Sequence, residues 1–307
     1  MSYTIKQIAK ASRKVWSERQ TQAALNQLRD QVQTICLSGD SPDCSAAEAD
    51  FDHLLASSKP LPEYGYDAVS NWRRGAERAL QLASVVPDFG AVQRSLEVAC
   101  GDGMTSVILA AHGLATSTAD LRDWRDPRAA KLPFKALDID WADPLPAGGS
   151  PGHDLVFSYN AFEHFGNPAT ALSKMLAVTR PGGHLFFEFG PLYAGPWGLH
   201  AYRMIPIPYM QFLFSEPFWR DKLRQTGVRD LGQDLDELQP LNGWTVAQFE
   251  NLWADSGCEI VLQQRVENLS QLALVSRYPG AFRGRGLTVE DLSTQALRVL
   301  LRKPGGN

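Results

Sequence analysis

Between residues 95 and 106 the chain reads Ser-Leu-Glu-Val-Ala-Cys-Gly-Asp-Gly-Met-Thr-Ser. A short apolar run carries a carboxylate, Glu97, and two glycines, Gly101 and Gly103, follow it. Met104–Ala111 then has the small and apolar composition of a buried helix. Strand, glycine turn and helix in that order form a ligand-gripping corner at the top of a parallel α/β sheet. The glycines permit the tight turn and remove side chains that would block a ligand. The spacing approaches G-x-G-x-x-G/A, with Ser106 at the last position. Glu97 argues against a pyrophosphate there, because a helix N-terminus that holds an anion has no use for a neighbouring carboxylate. A ligand with an ammonium group does.

Acidic residues also close the apolar runs that follow. Ala115–Asp120 reads as a second strand, and Asp120 falls near the spacing of about 20 residues expected of a ribose-binding acid. Phe134–Asp140 is a third strand with Asp138 and Asp140 at its end. The fourth begins at His153 and runs out through Asn160 and Glu163 to His164. Arg180–Gly190 is a turn and an apolar fifth strand, Cys258–Val266 a sixth, Ala296–Arg302 a seventh. Helices alternate with them. Asn167-Pro168 is a cap followed by the residue favoured at the first helical position, with Leu172, Met175 and Leu176 on the buried face. Thr245, with Gln248 three residues on, predicts a capping box for a helix through Phe249 and Trp253. The pattern is α/β, a doubly wound and mostly parallel sheet of seven strands.

Residues 1–90 are expected to be a helical extension capping that core. An amphipathic helix is expected over 1–20. Leu25, Leu28, Val32 and Ile35 recur at helical steps, a second helix spans Ala46–Ser57 and a third Asn71–Val85. The core then occupies 91–307, interrupted by an insertion at about 191–244. That insertion holds Tyr193, Trp197, His200, Tyr202, Tyr209, Phe212, Phe214, Phe218 and Trp219. Such aromatics suit a helical lid over a substrate pocket, and equally a helical pair with its own small core. The formal net charge of −4 lacks the basic excess of a nucleic-acid binder. Cys36, Cys44, Cys100 and Cys258 form no C-x-x-C pair of the kind that holds zinc. No secretory signal is visible, so free thiols in the cytoplasm are expected. Met204–Phe214, the most apolar stretch, contains two prolines and is too short to span a bilayer.

The run Glu97-Val-Ala99-Cys-Gly101-Asp-Gly103 resembles motif I of class I S-adenosylmethionine-dependent methyltransferases, acidic-x-Gly-x-Gly-x-Gly, with Ala99 in place of the first glycine. Arg180-Pro-Gly-Gly183 resembles the family's turn before its fifth strand, and the ordered set covers most of residues 95–190. The resemblance implies a Rossmann-like sheet whose antiparallel last strand lies between the fifth and sixth. It implies S-adenosylmethionine as cofactor and methyl transfer as activity. Glu97, Ala99, Gly101 and Gly103 would hold the methionine end, with Ser158 and Tyr159 beside it. Asp120 and Leu121 would meet the ribose, and Asp138 and Ile139 the adenine, with Asp140 as the alternative acid. The stretches 190–200 and 213–216 resemble a bacterial subgroup of polysaccharide and specialised-metabolite biosynthesis, which implies a small-molecule acceptor.

Methyl transfer from a sulfonium needs an aligned acceptor and, for a hydroxyl, removal of its proton. Histidine is the natural base near neutral pH. His164, at the carboxyl edge of the sheet, and His200, in the insertion, are the candidates. Glu163 would orient His164 or cap the next helix. Asn160, Glu163, Tyr193, Trp197 and Tyr202 are candidate acceptor contacts, and Tyr64, Tyr66 and Arg73 stand where a helix would cover the cofactor. Arg73 and Arg74 read as a solvated pair on that helix. His53, His112, His153 and His184 lie away from the expected mouth. Asp138, Asp140 and Asp143 do not make the acid cluster of the metal-dependent catechol type, so no metal is expected. Three alternatives share these residues: an NAD(P)-dependent oxidoreductase, a non-catalytic partner-binding protein of methyltransferase-like fold, and a cofactor-bound cyclisation or decarboxylation. Nothing in the residues fixes an oligomeric state.

Overall fold

The computed structural model describes residues 22–306 except 37, 38, 40, 62–64, 142, 150, 151, 231, 232 and 236. The helix predicted over 1–20, and Tyr64, lie outside the described residues.

Apolar β-branched and aromatic runs between glycine and proline breaks assemble into a seven-stranded sheet of order β3-β2-β1-β4-β5-β9-β8. β1 (Arg94–Val98), β2 (Ala115–Asp120), β3 (Phe134–Ala136), β4 (His153–Tyr159) and β5 (Thr179–Phe189) run parallel. β9 (Thr294–Arg302) is antiparallel between β5 and β8 (Glu259–Glu267). β4 is buried at every position because helices cover both of its faces, as a parallel sheet requires. Leu155, Phe157 and Tyr159 pack on one side with α4 (Ala68–Val85) and α5 (Met104–Ala111). Val156 packs on the other with α6 (Pro168–Val178) and α9 (Val246–Ala254), among Phe162, Phe187, Phe249 and Trp253. The strand order reverses between β1 and β4, and a crevice opens there at the carboxyl ends.

α4 starts on Asp67, whose carboxylate accepts from the Val69 and Ser70 N–H groups at 2.9 and 3.1 Å. Gly75 lies mid-helix because α5 comes so close: a Cβ there would sit 2.7 Å from the Met104 carbonyl carbon. Both predicted caps are present, Asn167 accepting from Thr170 and Thr245 exchanging bonds with Gln248.

Several expectations are corrected. The third strand stops at Ala136; Leu137–Asp140 leave the sheet as Asp138 bends back to accept the Asp140 N–H at 3.0 Å, an Asx turn. The helix predicted over 46–57 is two, α2 (Ser45–Ala49) and α3 (Phe51–Ser57), broken at Asp50. Pro181–Gly183 does not precede β5 but bulges within it: His153 pairs with Thr179, and Leu155 with His184.

The insertion is less helical than expected. It holds α7 (Met210–Leu213), α8 (Glu216–Thr226) and the small hairpin of β6 (Val228–Asp230) and β7 (Gln233–Leu235), joined by irregular chain. Tyr209, Phe212, Phe214, Phe218 and Trp219 do form a core with α1 (22–36), α2 and α3. That core also recruits 268–293, where no element was predicted: α10 (Leu272–Arg277) and α11 (Val289–Ser293). Phe51 meets Phe214 edge-on at 5.3 Å, Tyr209 meets Phe282 at 5.4 Å, and the Tyr209 hydroxyl donates to the Leu292 carbonyl at 2.7 Å. Cys36, Cys44, Cys100 and Cys258 are free thiols. Among the described residues no helix is long and apolar enough to cross a membrane.

Candidate active site

After β1 the backbone enters the left-handed region three times in five residues, at Ala99 (φ 55°), Gly101 (53°) and Gly103 (67°). This reverses the chain into α5. Glycine adopts that conformation freely, whereas Ala99 does so at a cost of about 1–2 kcal/mol. Asp120, at the tip of β2, closes the loop: its Oδ2 accepts the Gly101 N–H at 2.8 Å and its Oδ1 the Leu121 N–H at 2.7 Å. Burial pushes the pKa of the Asp120 carboxyl above its ordinary value, making it a weaker acid, and those two N–H groups and Trp124 oppose the shift. Asp102 occupies the start of α5, accepting the Met104 N–H at 2.9 Å on Oδ1 and pairing through Oδ2 with Arg74 at 2.6 Å.

A cavity of about 910 Å³ opens above this loop, within the size range of small-molecule sites. Ala99, Gly101, Asp120, Leu121, Asp138 and Ile139 line one wall; Tyr159, Asn160, Glu163, His164, His200 and Tyr202 line the other. Most of the residues expected from sequence therefore meet in one place. Asp138 and Asp140 both reach it, but Asp140 is committed: its two oxygens accept the Gly166 and Asn167 N–H groups at 2.7 and 2.9 Å.

Four expected residues are elsewhere, and one acts differently than its motif position suggests. Gly103 faces Ala129 and Arg125 rather than the cavity. Ser158 is buried off the cavity, its Oγ without a partner. Tyr193 packs edge-on against Phe212 in the second core, and Trp197 against Tyr202; neither lines the cavity. Glu97 is 1% exposed and lies beneath the loop, its Oε2 accepting from the Ser106 hydroxyl at 2.6 Å and the Ser106 N–H at 3.3 Å. Desolvation pushes its carboxyl up to about 7, against the pull of Ser106 and Arg78. It pins α5 to β1 rather than presenting itself to a ligand.

The cavity also gathers residues the sequence did not single out. Trp124 stands by Asp120, and Arg78 and Arg203 join Arg74 and Tyr66 at the rim. Arg78 stacks over the Tyr159 ring at 4.5 Å, and that tyrosine donates to the Arg78 carbonyl at 3.1 Å. The i, i+4 spacing of Arg74 and Arg78 puts both on one helix face and was the available signal. Arg73 is solvated as expected, but Arg74 is not: it turns inward to pair with Asp102 and lines the cavity.

At the second wall three side chains converge. Glu163 is 2% exposed; its Oε1 accepts the Gly190 N–H at 3.1 Å, and its Oε2 has no partner. Burial pushes its carboxyl upward, and His164 opposes the shift. His164 bonds through Nδ1 to the Pro240 carbonyl at 2.8 Å, His200 through Nε2 to the Pro191 carbonyl at 2.9 Å, and the rings meet edge-on at 5.1 Å. A carbonyl only accepts, so each bonded ring nitrogen carries the proton. In the neutral tautomer that each bond selects, the lone pair belongs to Nε2 of His164 and Nδ1 of His200. Asn242 fixes the turn between them and the sheet, donating to the Phe162 and Phe165 carbonyls at 2.6 and 3.0 Å.

Residues 69–263, more than half of the chain, match a family described as "Methyltransferase domain". No curated protein matches the sequence. Among solved structures, an S-adenosylmethionine-dependent methyltransferase from Methanosarcina mazei is 15% identical, covering 74% of this chain and 98% of its own, at a TM-score of 0.46. The N-methyltransferase NodS from Bradyrhizobium japonicum, crystallised with S-adenosyl-L-homocysteine, is 14% identical over 84% of this chain and 98% of its own, at 0.41. The [4+2]-cyclase SpnF is 17% identical over 88% of this chain and 99% of its own, at 0.45. At these identities the likeness concerns the fold. The family match, taken with the acid-tipped crevice, makes the chain a member of the methyltransferase domain family, an enzyme that uses S-adenosylmethionine.

Proposed function

We propose that the protein methylates a hydroxyl group of a small-molecule acceptor in a specialised-metabolite or saccharide pathway. The observation that carries this reading is the single cavity that joins the acid-tipped strand ends to the Glu163–His164–His200 wall. The residues present fit the cofactor. Asp120 is the acceptor for ribose hydroxyls, and Asp138, whose neighbour Asp140 is already committed, the acceptor for the adenine amino group. The Ile139 backbone lies beside the adenine position. Arg78, on the cavity wall between the buried Glu97 and Glu163, is the cation for the cofactor's carboxylate. A dinucleotide fits poorly, since the N–H groups a pyrophosphate would need at the start of α5 are engaged by Asp102 and Glu97.

When bound, S-adenosylmethionine supplies a methyl group on a sulfonium that leaves without protonation. The protein's own residues then have two tasks. Tyr202 and Asn160 bound the space left for the acceptor and exclude water from it. The lone-pair nitrogens of His164 and His200 face the acceptor's proton, with Glu163 behind them. Oxygen is favoured over nitrogen or carbon because a hydroxyl is the acceptor that most needs this arrangement. The test is methyl transfer from labelled cofactor to a panel of hydroxyl and amine acceptors. His164→Ala is expected to lower kcat by about 10²–10⁴-fold, the range for losing general-base catalysis, while leaving cofactor affinity intact. Amine methylation untouched by the substitution would overturn the oxygen reading.

A further inference from the structure

The second wall has features that base catalysis leaves unused. A general base requires one imidazole, yet two converge here, and one ligand atom from each of Glu163, His164 and His200 lies within 4.8 Å of the others. Each is held from behind by the backbone: His164 by the Pro240 carbonyl, His200 by the Pro191 carbonyl, and Glu163 by the Gly190 N–H. A backbone carbonyl on one ring nitrogen, fixing the tautomer and aiming the other, is how metal-binding histidines are set. The independent observation is Glu163 Oε2, a carboxylate oxygen in a residue 2% exposed that lines the cavity and has no hydrogen-bond partner. A buried carboxylate oxygen left in that condition is costly, and a cation would satisfy it.

We propose that Glu163, His164 and His200 form a divalent-metal site, with the N₂O donor set of a catalytic zinc centre and open positions facing the cavity. This donor set suits Zn²⁺ or another first-row ion of borderline softness and not Mg²⁺ or Ca²⁺, which prefer oxygen cages. The acceptor it selects carries a hydroxyl that can ligate the ion, alone or with a vicinal oxygen. The inference rests on reading this wall as the acceptor end and gives it a sharper chemistry. The ion takes the acceptor oxygen as a ligand and lowers the pKa of its O–H. The O–H bond breaks and the proton passes to water. The oxygen lone pair forms the new C–O bond as the C–S bond breaks. That electron pair stays on sulfur, giving a neutral thioether, and one proton is released per methyl moved. With the ion bound, His164 and His200 act on the acceptor's proton through the metal, in place of the direct base role that the metal-free wall would give them.

The spacing hides this site from the sequence, because His164 and His200 are brought together only when the insertion folds back over β4. The three ligands include none of Asp138, Asp140 and Asp143. Asp140 is spent on backbone N–H groups.

The test uses the full-length protein stripped with a chelator and desalted. Zn²⁺ and Co²⁺ are then added, binding is followed by competition against a chromophoric chelator, and retained metal is counted by elemental analysis. The expected result is one ion per chain and, with Co²⁺, the visible absorption of a low-coordinate nitrogen and oxygen site. His164→Ala, His200→Ala and Glu163→Gln are each expected to weaken binding by more than the ~10–100-fold typical of losing a second-shell partner. His112→Ala, on the exposed end of α5, is expected to leave it unchanged. S-adenosylhomocysteine binding by calorimetry is read in parallel on every variant and on the stripped protein as the measure of the cofactor site, with circular dichroism as the measure of folding. Failure to retain Zn²⁺, or retention indifferent to the three substitutions, in protein that still binds the thioether overturns the metal site and leaves the functional reading standing. Loss of thioether binding in folded wild-type protein would sink that reading instead.

Discussion

Glu97 is a carboxyl whose ionisation the fold opposes. Burial pushes its carboxyl from an ordinary 4.5 to about 7, so the folded state keeps a proton that the unfolded chain releases. The sign follows directly. Below 4.5 both states hold the proton and nothing is lost; between there and about 7 stability falls as pH rises, and above that the loss is complete. Its size is about 3 kcal/mol at 1.36 kcal/mol per pH unit. Glu97→Gln keeps an acceptor for Ser106 and is expected to be more stable than wild type at pH 8, with the difference vanishing at pH 4; melting at both pH values checks this. Asp120→Ala removes the acceptor of two loop N–H groups and is expected to weaken S-adenosylhomocysteine binding by about 1–3 kcal/mol, read by calorimetry; unchanged affinity would remove Asp120 from the site. Ala99→Gly relieves a left-handed alanine worth about 1–2 kcal/mol and adds unfolded-state entropy worth about 0.4–1 kcal/mol. A net gain between zero and ~1.6 kcal/mol in urea unfolding is expected, and a clear loss would contradict the strain. These residues were all visible in the sequence as types and positions. What was not visible is direction: the turn inward of Glu97 is decided by Ser106, nine residues on, and the commitment of Asp140 by a loop beyond β4.

Elements with local signals were legible, and those held by distant partners were not. The capped helices at Asn167 and Thr245 and six of the seven sheet strands fall close to where periodicity and caps place them. The shortened third strand yielded to its own Asx turn at Asp138. The segment 268–293 was missed because its apolar residues have no regular period and face a core assembled from α1, α3 and the insertion. Phe214, 1% exposed and stacked against Phe218 with Phe51 edge-on, is the test of that second core. Phe214→Ala is expected to cost about 3–5 kcal/mol, measured by urea unfolding; a cost below 1 kcal/mol would mean the insertion is not packed there. Gly75→Ala is the corresponding test of the α4–α5 contact. Helix propensity alone favours alanine by about 1 kcal/mol, yet the added carbon would meet the Met104 backbone at 2.7 Å. Overpacking of this kind costs about 1–3 kcal/mol, so net destabilisation is the expected outcome, and stabilisation would contradict the approach.

At the scale of the whole molecule, alternation of strand and helix, acids at successive strand ends and a glycine turn were enough to indicate the sheet, its winding and the edge at which the crevice opens. They were enough because the crevice of a doubly wound sheet is fixed by topology rather than by individual contacts. The second wall needed the structure, since His164 and His200 meet only across the folded insertion. That crevice is proposed to hold a sulfonium nucleoside beside the His–His–Glu wall. Titration calorimetry of the full-length protein with S-adenosylmethionine, S-adenosylhomocysteine and NADPH tests it most directly. Saturable binding of both sulfur nucleosides at one site per chain, weakened by Asp120→Ala, with no response to NADPH, is the predicted result. A folded protein that ignores both nucleosides, or that binds NADPH in their place, would contradict it.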